Sequence, residues 1–217
     1  MYQYILFDLD GTLTNPELGI TNCVMYALEK YGIKVEDRKS LHPFIGPPLL
    51  DSFQQFYNFS KEQSEEAVKY YRERFSAKGL YENEVYDGVP ELLQKLKEAG
   101  KTIVLATSKP EVFAIKILKY FDLEKYFDYI AGATLDGSRN EKADVIAYAL
   151  QICGVEDKSK ALMVGDRKYD ILGAKAHGLD SMGVLFGFGD YAELHEAGAT
   201  YIVETVNEIF NFISDVR

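Results

Sequence analysis

A chain of 217 residues, 47% hydrophobic and 27% charged, has the composition of an ordinary soluble globular protein and enough length for one core domain plus a smaller appendage. Its formal charge of -10, with no basic run, disfavours nucleic-acid binding, and an anionic small molecule must be drawn in locally by Lys, Arg or a metal ion. No apolar run reaches membrane-spanning length, the start lacks a basic leader, and Cys23 and Cys153 have no CxxC spacing, so a cytoplasmic protein with reduced thiols and no membrane association is expected.

The first element is a short buried strand, Tyr4-Ile5-Leu6-Phe7, that ends abruptly in charge. If the chain stays extended, Asp8 and Asp10 point to one side and Leu9 to the other. Gly11 then allows a turn and Thr12 adds a hydroxyl. Two carboxylates at close quarters favour a bound cation or a raised pKa on one of them. Asn15 reads as an N-cap with Pro16 at the first helical position, and Ile20, Val24, Ala27 or Leu28, and Tyr31 recur at helical spacing before a stop at Gly32.

From Asp37 to Leu80 the pattern stays helical. Short segments around Arg38 to Leu41 and Pro48 to Tyr57 are joined by Phe44-Ile45-Gly46-Pro47-Pro48, and Ser60 caps a longer helix to about Lys78. No strand is expected between Leu13 and Glu84. Residues 15–83 therefore read as an all-helical domain inserted into a core of residues 1–14 and 84–217. The charge run from Glu62 to Arg74 is expected to be a solvated helix face.

Beyond Val85, strands and helices alternate. A helix from Val89 to Ala99 stops at Gly100, and Thr102 to Thr107 is a buried strand. Lys109-Pro110 leads into a helix from Glu111 to Tyr120, followed by a strand at Tyr129 to Ala131. A helix from Lys142 to Cys153 precedes a strand from Ala161 to Gly165. A helix from about Tyr169 to His177, strands at Ser181 to Phe186 and Thr200 to Val203, and a helix from Val206 to Val216 complete the chain. Strands that are apolar throughout and alternate with helices specify an α/β fold with a Rossmann-like parallel sheet, here with an inserted all-helical cap domain. Ligands bind beyond the carboxyl ends of such strands. There this chain carries Asp8 and Asp10, Thr107 with Ser108, and Asp166, and Lys142 starts a helix on the same side.

Carboxylates without His or Cys partners suit Mg²⁺ rather than zinc, and Mg²⁺ often shares a phosphate oxygen. A carboxylate can attack phosphorus, a second can move the proton, and Thr107, Ser108 and Lys142 would hold phosphoryl oxygens. His42, His177 and His195 lack ligand spacing, and Phe186-Gly187-Phe188-Gly189 alone is weak support for nucleotide binding.

In order along the chain, Asp8-Leu9-Asp10-Gly11-Thr12-Leu13, Thr107, Lys142 and Gly165-Asp166-Arg167-Lys168-Tyr169-Asp170 resemble the four motifs of the haloacid dehalogenase-like hydrolase superfamily. The wording is most similar to its phosphoglycolate phosphatase and 5'-nucleotidase-like branch. The resemblance implies Asp8 as nucleophile and Mg²⁺ ligand, and Asp10 as general acid/base that also ligates the metal through its carbonyl. It implies Thr107 and Lys142 as phosphate-binding residues, Asp166 as a Mg²⁺ ligand and Asp170 in support. Lys109 and Arg139 are alternatives to Lys142, because the third motif is the loosest match.

Asp10 argues against the dehalogenases of this superfamily, and Thr12 with Gly165-Asp166 against its mutases. Lys61, Lys69 and Lys78 read as surface rather than as the Schiff-base lysine of phosphonatases. The loop containing Phe44, Ile45 and Gly46 would select the substrate by closing over the site, or would pack Phe44 as a helix corner. The expected activity is Mg²⁺-dependent hydrolysis of a small phosphorylated metabolite, of phosphoglycolate or nucleoside 5'-monophosphate type. The alternatives are a phosphosugar mutase and a non-catalytic module binding a phosphoryl ligand.

Overall fold

The first strand, β1 (Tyr4–Phe7), lies in the middle of a six-stranded sheet, and Ile5, Leu6 and Phe7 are fully buried. The computed structural model describes residues 1–215. On one side β1 pairs with β4 (Thr102–Pro110), which pairs with β5 (Tyr129–Ala133). On the other side it pairs with β6 (Ala161–Gly165), followed by β7 (Asp180–Val184) and β8 (Tyr201–Val203). Every one of these pairings is parallel. A strand covered on both faces must be apolar at every position, which is why β1, β4 and β6 show runs rather than alternation. The chain builds one half of the sheet after β1 and then crosses to the other, so the topological switch falls at β1.

Helices α4 (Val89–Glu98), α5 (Glu111–Tyr120), α6 (Lys142–Cys153), α7 (Lys168–Ala176), α8 (Tyr191–Ala197) and α9 (Val206–Asp215) belong to this unit. Val145, Ile146 and Ala149 of α6 pack onto Leu6, Val104, Ala106 and Met163. Burying Val145 and Ile146 stabilises the fold by about 1.5–3 kcal/mol each. The start of α6, and hence Lys142, is thereby pinned beside the ends of β1 and β4.

The residues divide into two units, Met1–Thr14 with the chain from Val85 onward, and Asn15–Glu84. Two-residue strands, Thr14–Asn15 (β2) and Glu84–Val85 (β3), pair where the chain passes between the units. The second unit holds α1 (Glu17–Glu29), a 3₁₀ helix (Arg38–Phe44), α2 (Leu49–Tyr57), α3 (Lys61–Arg74) and a π turn (Phe75–Gly79). Its core joins Ile20, Val24, Ala27 and Leu28 to Ala67, Val68 and Tyr71. Glu62, Glu65, Glu66, Lys69 and Glu73 of α3 face water, so the charge run is a solvated face. Lys61, Lys69 and Lys78 are exposed, while Cys23 on α1 and Cys153 on α6 are not joined in a disulfide.

Several expectations need correction. Pro16 rather than Asn15 occupies the N-cap of α1, although the Asn15 side chain still accepts the Glu17 N–H at 3.1 Å. Strand β2 lies within the span expected to have none; two residues are too few to show a period. Strand β4 runs to Pro110 rather than Thr107, because its register with β5 shifts between Thr107 and Pro110 and pairing resumes at Ala133. Strand β7 stops at Val184, short of Phe186. Helix α8 was missed despite its Asp190 cap and Gly198 stop. The closing helix is described to Asp215, and the expected end at Val216 lies outside the described residues.

Candidate active site

Strand β1 ends at Phe7, and the chain does not continue extended. The Leu9 carbonyl accepts from the N–H groups of Thr12, Leu13 and Thr14 at 3.3, 2.9 and 3.0 Å, and the Gly11 N–H donates to the Thr14 carbonyl at 2.7 Å. A tight turn, not strand alternation, therefore carries Asp8 and Asp10. Gly11 takes φ +85°, and a Cβ there would lie 2.1 Å from Asp166 Oδ2, so only glycine permits this approach. The Asp8 N–H extends the ladder by one bond, donating to the Val164 carbonyl at 2.9 Å.

Lys142, the first residue of α6, is buried with its ammonium among three acceptors. These are Asp8 Oδ1 at 2.7 Å, Asp170 Oδ1 at 2.8 Å and the Ala106 carbonyl at 3.1 Å. The Ala106 carbonyl accepts a hydrogen bond, and the two carboxylate contacts are ion pairs. Burial alone would lower its pKa, but Asp170 and Asp8 more than offset that and hold it above the ordinary lysine value. Asp10 pairs instead with Lys109, Oδ2 to Nζ at 2.6 Å, and its Oδ1 is buried without a hydrogen-bond donor. Burial pushes the Asp10 carboxyl up, against the opposing pull of Lys109. The Thr107 hydroxyl accepts the Lys109 N–H at 3.2 Å, leaving its own proton to donate. Ser108, between them, is half-buried.

Asp166 is fully buried. Its Oδ2 accepts the Phe188 N–H at 2.8 Å, and the Thr12 hydroxyl approaches Oδ1 at 3.4 Å. Burial, reinforced by the charges of Asp170 and Asp8, raises its pKa well above the carboxylate range. Asp170 accepts the Arg167 N–H at 3.1 Å, and burial pushes its pKa up to about 6 although Lys142 opposes this. Carboxylate oxygens of Asp8, Asp166 and Asp170 lie within 4.8 Å of one another. When ionised, the four buried carboxyl groups of Asp8, Asp10, Asp166 and Asp170 outnumber the two buried ammonium groups, Lys109 and Lys142, by two. An all-oxygen cluster with that deficit fits a hard divalent cation.

The structure thus brings Asp8, Asp10, Thr12, Thr107, Lys142, Asp166 and Asp170 together at the ends of β1, β4 and β6. It does not bring Arg139 to the phosphate-binding position. The Arg139 guanidinium bonds the Gly132 carbonyl at 2.7 Å and Glu111 at 3.2 Å. Phe44 and Ile45 are buried, and Phe44 packs edge-on against Phe53 at 5.1 Å, so the helix-corner reading of that loop describes these two side chains. Gly46 is half-buried. His42 pairs with Glu17, His177 contacts the Ala143 carbonyl, and His195 stacks on Tyr191. The glycines of Phe186-Gly187-Phe188-Gly189 serve close packing: a Cβ on Gly187 would lie 2.4 Å from Asp166 Cβ, and one on Gly189 2.0 Å from the Asp166 carbonyl. Two participants escaped the sequence reading. Lys109 as partner of Asp10 had a signal, two residues beyond Thr107 on one strand; the Phe188 N–H had none, since any residue supplies it.

The family described as haloacid dehalogenase-like hydrolase matches residues 5–184. A Pseudomonas aeruginosa protein named 5'-nucleotidase is 48% identical over 200 residues, covering 92% of this chain and 90% of its own. The tyrosine-protein kinase PtkA of Mycobacterium tuberculosis is 38% identical over 210 residues, covering 95% of this chain and 71% of its own. The crystal structure of a predicted phosphatase from Clostridium acetobutylicum matches with a TM-score of 0.97 at 50% identity, over 100% of both chains.

Proposed function

The chain belongs to the haloacid dehalogenase-like hydrolases, and from that premise we propose that it is a Mg²⁺-dependent phosphatase acting on a small phosphomonoester through an aspartyl-phosphate on Asp8. The observation that carries this reading is the buried pairing of Lys142 with Asp8 beside Asp10, a carboxyl that burial pushes toward its protonated form. One carboxylate faces a fixed cation and can attack; its neighbour can carry a proton.

Asp8 attacks phosphorus as the bond to the leaving oxygen breaks, and Asp10 donates its proton to that oxygen, releasing an alcohol. Asp10 then takes a proton from water, whose oxygen attacks phosphorus and breaks the bond to Asp8. Inorganic phosphate leaves, and both carboxyl groups return to their starting states. The Thr107 hydroxyl and the Lys142 ammonium hold the phosphoryl oxygens, with Ser108 beside them. Asp8, Asp166, Asp170 and the Asp10 carbonyl would hold Mg²⁺, which when bound neutralises charge on the phosphoryl group.

The 48% identity to a protein named 5'-nucleotidase favours a nucleoside 5'-monophosphate over phosphoglycolate. The similarity to a protein named tyrosine kinase supports a second reading, in which a phosphoryl group reaches a tyrosine hydroxyl. Phosphate release over a panel of phosphorylated metabolites, compared by kcat/KM, tests the first. Nucleoside 5'-monophosphates are expected to lead, and Asp8→Asn is expected to lower kcat on the order of a thousandfold or more. Undiminished turnover by Asp8→Asn would sink the aspartyl-phosphate mechanism. Isomer interconversion without phosphate release would mark a mutase, and phosphotyrosine on a protein acceptor would favour the second reading.

A further inference from the structure

We propose that Arg139 is a positioning residue that sets the placement of Thr107 relative to Lys142. The inference rests on the reading of those two groups as the phosphoryl-holding pair.

Gly132 on β5 pairs in register with Thr107 on β4. Both of its backbone groups are taken up by one ion pair: its N–H donates to Glu111 Oε2 at 3.1 Å, and its carbonyl accepts Arg139 Nε at 2.7 Å. Arg139 Nη2 closes the ring on the same Glu111 oxygen at 3.2 Å. Glu111 is the first residue of α5, four positions beyond Thr107. A Cβ on Gly132 would lie 2.5 Å from Glu111 Cα, so glycine is what lets the start of α5 lie against β5.

The other face of the guanidinium sits 3.7 Å from the ring centroid of Tyr148 on α6, the helix that begins with Lys142. The Arg139 backbone is bonded in both directions to Thr134, through its N–H to Oγ1 at 3.0 Å and its carbonyl from the Thr134 N–H at 2.9 Å. A circuit results. It runs from Thr107 across to Gly132, through Arg139 to α6 and Lys142, and back from the Lys142 ammonium to the carbonyl of Ala106. Arg139 is the only member that touches β5, α5 and α6 through one rigid planar group, a task that lysine's point charge does not perform.

The test uses the full chain and compares Arg139→Ala, Arg139→Lys and Glu111→Gln with wild type. Readouts are kcat, KM, inhibition by inorganic phosphate and the thermal midpoint. Arg139→Ala is expected to lower kcat by about ten- to a hundredfold and to weaken phosphate inhibition, as a displacement of about an ångström does. Arg139→Lys is not expected to rescue either. In the Lys142→Ala background, Arg139→Ala is expected to add little, because its effect passes through Lys142.

Wild-type kcat and phosphate inhibition in Arg139→Ala would overturn the proposal. So would a full additional loss in the double variant, which would make Arg139 a support of the fold at large. If Arg139→Ala does not fold, Glu111→Gln, which keeps an acceptor for Gly132 but removes the ion pair, must still weaken phosphate inhibition. Inorganic phosphate inhibition or binding judges Arg139 separately from the choice of substrate, and a wild-type protein that binds no phosphate would instead overturn the underlying reading.

Discussion

Asp8 and Asp10 stand two residues apart and receive different partners, Lys142 and Lys109, a difference that supports the separate roles proposed for them. Burial raises the pKa of Asp10, which suits a group that must give up a proton and take one back. Asp10→Asn is expected to lower kcat by about a hundred- to ten-thousandfold on alkyl phosphates. The loss should be much smaller on p-nitrophenyl phosphate, whose leaving group departs without a proton. Equal losses on both substrates, measured in steady state, would remove Asp10 from the acid role. At this scale the residue types and their chain positions were readable, but the pairing of Asp10 with Lys109 was not. A strand end bearing Thr107 and Lys109 shows which side chains project together, not which carboxylate they meet.

Among the elements, those with complete apolar stripes were readable, and the two-residue strands β2 and β3 were not. Helix α3 begins at Ser60, whose hydroxyl accepts the Gln63 N–H at 3.2 Å while the Gln63 side chain accepts the Ser60 N–H at 2.9 Å. Removing that hydroxyl with Ser60→Ala is expected to cost about 1 kcal/mol of local stability. Amide hydrogen exchange in the first turn of α3 would show it as faster exchange at Gln63. Ser60→Asp, which keeps an acceptor, should leave the rate near wild type, and unchanged exchange in the alanine variant would show that packing alone holds this helix start. Helix α8 carries the same kind of cap at Asp190, but its seven residues hold barely two turns of pattern.

At the level of the whole molecule, a chain of formal charge -10 sets four carboxyl groups against two ammonium groups in one buried polar cluster. Asp166 and Asp170 have folded-state pKa values above their unfolded ones, Asp170 at about 6. Between about pH 4 and 6 the folded state therefore keeps protons that the unfolded chain has released, and these groups contribute less stability as pH rises through that window. A bound cation competes with those protons. The rise in thermal midpoint produced by Mg²⁺ over EDTA is accordingly expected to be small near pH 5 and to grow by about pH 7. A Mg²⁺ shift independent of pH, measured by scanning calorimetry, would exclude these carboxylates as the site of binding.

What the sequence determined by itself was the α/β class and the carboxylates, hydroxyl and lysine at the ends of its apolar runs, because burial on both faces of a parallel sheet leaves a continuous pattern and only its ends can be polar. Tertiary structure alone decided which of those groups touch. The Phe188 N–H on Asp166 and the Gly132 N–H on Glu111 both depend on backbone groups brought against side chains from distant segments. Backbone groups are the same in every residue, so sequence carries no mark of them.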